Sequence, residues 1–198
     1  MKKIVVYDFD KTIYGGETST DFMRFFLKRN KKYIKRLPYV IKSLFYYNKN
    51  LKRSKEIFFK ILDNIDMELL KNEIREFWKQ NNKKIFSWIS DEIKVNKLES
   101  DELILISATP SIFLEEISKE LGFDKLIATE FVKQKDNFIS KIEGSNCKGV
   151  EKVYRLQEYL ENFEIIKFYS DSMSDKPLFD LAKEKYFIKK GIKEVLEY

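Results

Sequence analysis

Two carboxylates stand two residues apart near the start of the chain, in Asp8-Phe9-Asp10-Lys11-Thr12. A second pair stands far along it, in Ser170-Asp171-Ser172-Met173-Ser174-Asp175. Each pair follows a run rich in β-branched and aromatic residues, Lys3–Tyr7 (KIVVY) and Glu164–Ser170 (EIIKFYS). Such runs read as buried parallel strands, and ligands of open α/β sheets bind at the carboxyl ends of strands. Acids brought together there repel one another unless a cation or a shared proton compensates. Magnesium would compensate, because it takes oxygen ligands and accepts a small carboxylate set completed by water. Each acid taken alone also fits a plainer role as a helix cap. If the two strands are neighbours, all four acids meet in one crevice, and a bound cation then explains them better than capping does.

Two further segments could complete an anion site. Ser107 ends the apolar run ELILIS and is followed by Ala108, Thr109 and Pro110. A hydroxyl and backbone amides at a strand-to-helix junction form an anion pocket, helped by the helix dipole. Lys148, in Asn146-Cys147-Lys148-Gly149, could cancel charge on a phosphoryl group held beside Asp8. The plainer readings are a helix capped by Thr109 and a solvated surface lysine.

The elements that must position these residues follow from periodicity. Lys3–Phe9 reads as a strand. From Thr18 to about Asn96 the apolar spacing is helical, with a restart at Pro38 and with Ser54 as a candidate cap. Strand character returns at Glu102–Ser107, followed by a helix over Pro110–Leu121 and a strand at Lys125–Glu130. Phe131–Ile142 reads as a hairpin turning at Asp136-Asn137. Lys148–Leu160 is helical, Glu164–Ser170 a strand, Asp175–Glu184 helical and Lys185–Ile188 a last short strand. This alternation predicts an α/β fold, a doubly wound and mainly parallel sheet, with an all-helical cap inserted into it. The expected boundaries are 1–14 and 97–198 for the core and 15–96 for the cap.

Composition narrows the chemistry. The chain of 198 residues contains no histidine, which excludes a Ser-His-Asp triad, a Cys-His pair and a His-ligated zinc site. Its single Cys147 cannot form an internal disulfide. The apolar run after Met1-Lys2-Lys3 meets Asp8 too soon to serve as a secretory signal, so a cytoplasmic location is expected. The net charge of +6 is unevenly spread. Between Arg24 and Lys60 thirteen basic residues face one acid, Glu56, a local balance of +12 that leaves the remainder at −6.

Taken in order, these segments resemble the motifs of the haloacid dehalogenase superfamily. Asp8-Phe9-Asp10-Lys11-Thr12 looks like the first motif, Ser107 the second, Lys148 the third and Asp171 with Asp175 the fourth. The insertion after the first motif resembles the helical cap of the phosphoserine-phosphatase-like branch, and the resemblance implies a Rossmann-like core. It further implies a phosphomonoesterase in which Asp8 is the nucleophile, forming an aspartyl-phosphate, and Asp10 the general acid and base. Magnesium would be held by Asp8, the backbone carbonyl of Asp10 and Asp171, with Asp175 supporting. Ser107 and Lys148 would bind phosphoryl oxygens, assisted by Thr12 and Thr109. Asp10 favours phosphate over halide chemistry, since a departing halide needs no proton.

Substrate choice is expected to lie in the cap. The resemblance sets Glu17 where phosphoserine phosphatases place an acid toward the substrate amino group, although a helix-start carboxylate explains it equally well. A small phosphorylated metabolite is the expected substrate, phosphoserine among the candidates. The basic aromatic run Tyr33–Tyr47 (YIKRLPYVIKSLFYY) supports an alternative, a lipid-phosphate phosphatase whose cap lies on an anionic membrane surface. A catalytically silent module binding phosphate or nucleic acid is the other alternative. Nucleic acid would account for the basic segment but not for the four acids.

Overall fold

The computed structural model describes residues 1–132, 134 and 136–196. Six strands form one sheet: β1 (Lys2–Tyr7), β2 (Glu102–Pro110), β3 (Lys125–Thr129), β4 (Phe163–Ser170), β5 (Ala182–Lys189) and β6 (Ile192–Val195). Their spatial order is β3-β2-β1-β4-β5-β6. The first five run parallel, and β6 is antiparallel to β5. The chain builds outward from β1 to β3 on one side, then crosses to β4 on the other. The strand order therefore reverses between β1 and β4, where an open α/β sheet forms its binding crevice.

The helices are α1 (Thr18–Arg29), α2 (Pro38–Tyr47), α3 (Leu51–Phe59), α4 (Met67–Asn81), α5 (Ile89–Glu99), α6 (Ser111–Leu121), α7 (Val150–Tyr159) and α8 (Lys176–Leu181). Alternate side chains of β1 divide the core between two layers. Ile4 and Val6 pack with Val153 and Leu156 of α7 and with Leu178 and Phe179 of α8. Val5 and Tyr7 belong to a larger cluster that extends through Phe22, Phe77 and Trp78 of the helical block. Both faces of the central strand are thus covered, which explains its unbroken apolar character.

The same cluster fastens the cap to the core. Phe22 of α1 packs on Phe113 of α6 with ring centroids 4.7 Å apart, and Trp78 Nε1 donates to the Phe113 carbonyl at 2.7 Å. Helix α5 begins inside the span 15–96 expected for the cap and runs three residues past it, and it is anchored to the sheet. Its buried Asn96 donates to the hydroxyls of Tyr7 and Tyr169, whose rings stack 4.2 Å apart across β1 and β4.

Several local expectations are corrected. In the Phe131–Ile142 segment, whose residues 133 and 135 lie outside the described ones, the two ends pair antiparallel as a hairpin requires, through the Phe131–Ile142 bridge and with Val132 N donating to Lys141 O at 2.8 Å, but among the described residues the pairing does not extend to the turn. Its turn pairs instead with the cap: Met67 N donates to Asp136 O and Phe138 N to Ile65 O. Asn50, not Ser54, caps α3, accepting from Arg53 N, while the Ser54 hydroxyl donates to Ser43 O. Strand β2 runs on through Thr109 to Pro110, so the Thr109 side chain is not a helix cap. The last helix stops at Leu181 because the chain enters β5 at Ala182, and β6 was not foreseen.

Candidate active site

Asp8 leaves the end of β1 with its backbone N–H donating to Tyr169 O of β4 at 2.9 Å. The chain then reverses through Lys11, which holds φ +57°, the left-handed region that non-glycine residues seldom occupy. This turn directs Asp10 toward the start of α1. One Asp10 oxygen accepts from both the amide and the hydroxyl of Thr18. The other accepts from the Thr109 hydroxyl at 2.6 Å. Burial pushes the Asp10 carboxyl pKa upward, and these three donors oppose the rise.

Thr12 is fully buried, and its hydroxyl accepts from the Asp171 amide at 2.9 Å. It therefore ties the loop after β1 to the loop after β4. Ser107, also buried, turns its hydroxyl to accept from Thr109 N at 3.1 Å and lines the site cavity. Glu17 pairs with Lys11, and both line the same cavity.

The group bonded to Asp8 is Lys152, a residue the sequence reading passed over. Its ammonium lies 2.7 Å from Asp8 Oδ1 and 2.7 Å from Asp175 Oδ2. Lys148, the expected phosphate ligand, lies one turn earlier and lines the cavity without being the group that bridges these acids. The geometry follows from α7. Gly149 precedes the helix at φ +61°, where an added Cβ would stand 3.3 Å from Ser174 O. From that start Lys152 shares the buried face of the helix with Val153 and Leu156. A lysine on an otherwise apolar stripe was the available signal.

This triad is almost sealed from solvent: Asp8 is 8% exposed, Lys152 2% and Asp175 2%. Burial pushes the Asp8 carboxyl up to about 7, with Lys152 opposing and Asp175 adding to the rise. Burial also works against the Lys152 charge, but the two carboxylates overcome it and hold its pKa above the usual lysine range. Asp171 is pushed up to about 6 by burial, against the pull of Lys11.

Asp8, Asp10, Ser107, Lys148, Asp171 and Asp175 all line one cavity of about 240 Å³. Thr109 acts one step behind it, through Asp10. The cap closes over the core loops beside the cavity. Lys55 of α3 donates to Ala108 O at 2.6 Å and to Asn146 Oδ1 at 2.5 Å, and burial lowers its pKa to about 8. Tyr47, at the end of α2, contributes to the cavity wall.

The donor set suits a hard divalent cation. Its ligands would all be carboxylate or carbonyl oxygens, and buried Asp175 Oδ1 has no hydrogen-bond partner among the described residues. Among the same residues no three acids form a ready-made cation cage, so any bound ion would need water as well. Magnesium accepts such a mixed shell.

Known proteins share this fold and family. The model of the haloacid dehalogenase-like hydrolase family matches residues 5–180. The protein CicA of Caulobacter vibrioides is 28% identical over 86 residues, covering 42% of this chain and 39% of CicA. The match thus spans about two-fifths of that relative's length. A solved structure of a protein of unknown function from Bordetella pertussis Tohama I superposes with TM-score 0.81 at 20% identity, covering 93% of this chain and 89% of that one. A phospho-aspartyl intermediate analogue of phosphoserine phosphatase superposes with TM-score 0.61 at 19% identity, covering 93% and 85%. At these identities the structural likenesses establish the fold: six strands in mainly parallel order with helices on both faces. From the family match over most of its length, with two acid pairs meeting at the sheet's switch point, this chain belongs to the haloacid dehalogenase-like hydrolases.

Proposed function

We propose that the protein hydrolyses phosphate monoesters through a covalent intermediate on Asp8. The observation that carries this reading is the convergence of Asp8, Asp10, Ser107, Lys148 and Asp171 on one small cavity at the switch point. That a phosphoserine phosphatase of the same fold has been captured as a phospho-aspartyl intermediate analogue supports it further.

In the first step an Asp8 oxygen bonds to phosphorus and the bond from phosphorus to the ester oxygen breaks. Asp10 gives its proton to the departing oxygen, leaving a free alcohol and an aspartyl-phosphate. In the second step water attacks phosphorus, Asp10 takes its proton and the bond from phosphorus to the Asp8 oxygen breaks, releasing inorganic phosphate and regenerating the Asp8 carboxylate. One residue thus serves as acid and then as base. The raised Asp10 pKa suits the first role, and the Thr18 and Thr109 donors keep the carboxyl in register. Lys152 fixes the Asp8 rotamer through one oxygen. Ser107 and Lys148 bind the phosphoryl oxygens as charge shifts onto them.

Asp8, the Asp10 carbonyl and Asp171 would hold magnesium, whose positive charge would let an anionic nucleophile approach an anionic ester. The substrate on this reading is a small phosphorylated metabolite, whose amine, where it has one, would compete with Lys11 for the Glu17 carboxylate in the cavity. Release of the alcohol from an aryl phosphate, compared with Mg2+ and with EDTA, tests the reaction class. Metal-dependent turnover is expected. Absence of turnover, together with failure of beryllofluoride and Mg2+ to stabilise the fold, would contradict the proposal.

A further inference from the structure

Helix α2 carries an apolar face that the fold leaves uncovered. Tyr39, Val40, Ser43 and Tyr46 turn inward, and the Ser43 carbonyl accepts from the Ser54 hydroxyl of α3. On the opposite side Leu37, Ile41, Leu44 and Phe45 are 41%, 63%, 67% and 72% exposed. Their spacing of four, three and one places them on a single stripe. Four neighbouring large apolar side chains on a surface helix mark an interaction site rather than ordinary scatter.

The charge around the stripe identifies what covers it. Lys31, Lys32, Lys35, Lys42 and Lys49 are all exposed beside it, and no acid occurs between Arg24 and Lys55. An apolar stripe flanked by lysines complements a bilayer of anionic lipid, which offers hydrocarbon below and negative charge at the surface. A second copy of the chain is disfavoured, because pairing two such faces would bring two +12 segments together. Nucleic acid would use the charge but has no need of the stripe.

The stripe also adjoins the candidate active site. Tyr47, two residues beyond Phe45, lines the cavity that holds Asp8 and Asp171. Tyr47 also stands three residues, about one turn, beyond Leu44, so the Leu44 end of the stripe neighbours the residue that lines the cavity wall. We infer that α2 docks the protein on an anionic bilayer surface, bringing the cavity to the interface where phosphate esters borne by lipids stand. The substrate consequence rests on the phosphatase reading; the docking does not. No helix among the described residues is long and apolar enough to cross a membrane, and docking in the interface requires none.

Co-sedimentation of the full chain with phosphatidylcholine vesicles, with and without phosphatidylglycerol, tests the inference. Wild type should bind the anionic vesicles at low salt, and binding should weaken as salt is raised. The I41S/L44S/F45S variant should lose at least about tenfold in apparent affinity. The K35E/K42E/K49E variant should lose a similar factor. These residues lie outside the catalytic cavity, so hydrolysis of a soluble aryl phosphate should be unchanged in both variants. That assay shows that the variants fold, and a wild type that binds vesicles but neither turns over aryl phosphate nor is stabilised by beryllofluoride with Mg2+ would count against the phosphatase reading alone. Circular dichroism spectra superposing on wild type give a second check of folding. The inference is overturned if wild type does not bind anionic vesicles at low salt, or if the serine variant binds as well as wild type. It is also overturned if the serine substitutions abolish a dimer seen by light scattering, or if the chain is retained on DNA but not on lipid.

Discussion

Lys152 and Asp8 form a buried ion pair at 2.7 Å, and the same ammonium reaches Asp175 at an equal distance, joining the ends of β1 and β4. A cation enclosed by two acids is held by geometry that no partial replacement preserves. Removing one member of a buried pair leaves the other charged and unpaired, at about 3–5 kcal/mol. Lys152→Met is therefore expected to destabilise the fold by about that amount in urea unfolding. Lys148→Met should change stability by less than about 0.5 kcal/mol, yet lower kcat/KM by about a hundredfold through loss of charge beside the phosphoryl group. If the two variants behaved in the opposite way, the roles assigned to these lysines would be exchanged.

The Thr109 hydroxyl donates to Asp10 at 2.6 Å. Thr109→Val removes the donor that favours the Asp10 carboxylate, so the pKa, already raised by burial, rises further. The limb of the pH–rate profile governed by Asp10 should move to higher pH. The loss of one buried hydrogen bond should cost about 1–3 kcal/mol of stability. A profile that did not move would show that Asp10 does not govern that limb.

Asp171 makes metal-free stability depend on pH. Its folded pKa of about 6 lies above the ordinary value of 3.8, so the native state binds more protons than the unfolded chain between about pH 4 and 6. Its contribution is fully present below the unfolded pKa and declines as pH rises through the folded one. In EDTA, wild type should lose stability relative to Asp171→Asn across that window. At pH 7, added Mg2+ should stabilise wild type more than the variant. A wild-type-to-variant difference that stayed flat with pH would contradict the electrostatics assigned to this acid.

Much of this organisation is legible in the residues themselves. The acid pairs are visible because strands buried on both faces read as unbroken apolar runs, and the carboxylates that end them stand out. Lys152 was harder to see, because a lysine inside a helix is ordinarily solvated and its burial depends on a rotation set by Gly149. Thr18 meets Asp10 through the turn at Lys11, whose left-handed backbone the residue type does not announce, and Lys55 reaches the site from α3, far along the chain, which no local pattern encodes. The turn of the Phe131–Ile142 segment docks on Asn64 to Met67, some seventy residues away, and nothing local in the sequence encodes that pairing. Thr109 looked like a helix cap because Pro110 suggests a helix start, whereas the strand continues through both.

The most direct test is trapping of the covalent intermediate. Wild type and Asp8→Asn would be mixed with an excess of radiolabelled aryl phosphate and Mg2+, quenched in acid, and the protein-bound phosphate counted. The account predicts label on wild type that hydroxylamine releases, as an acyl phosphate requires, and none on Asp8→Asn. Turnover by wild type with no label, or equal label on both proteins, would contradict a nucleophilic Asp8.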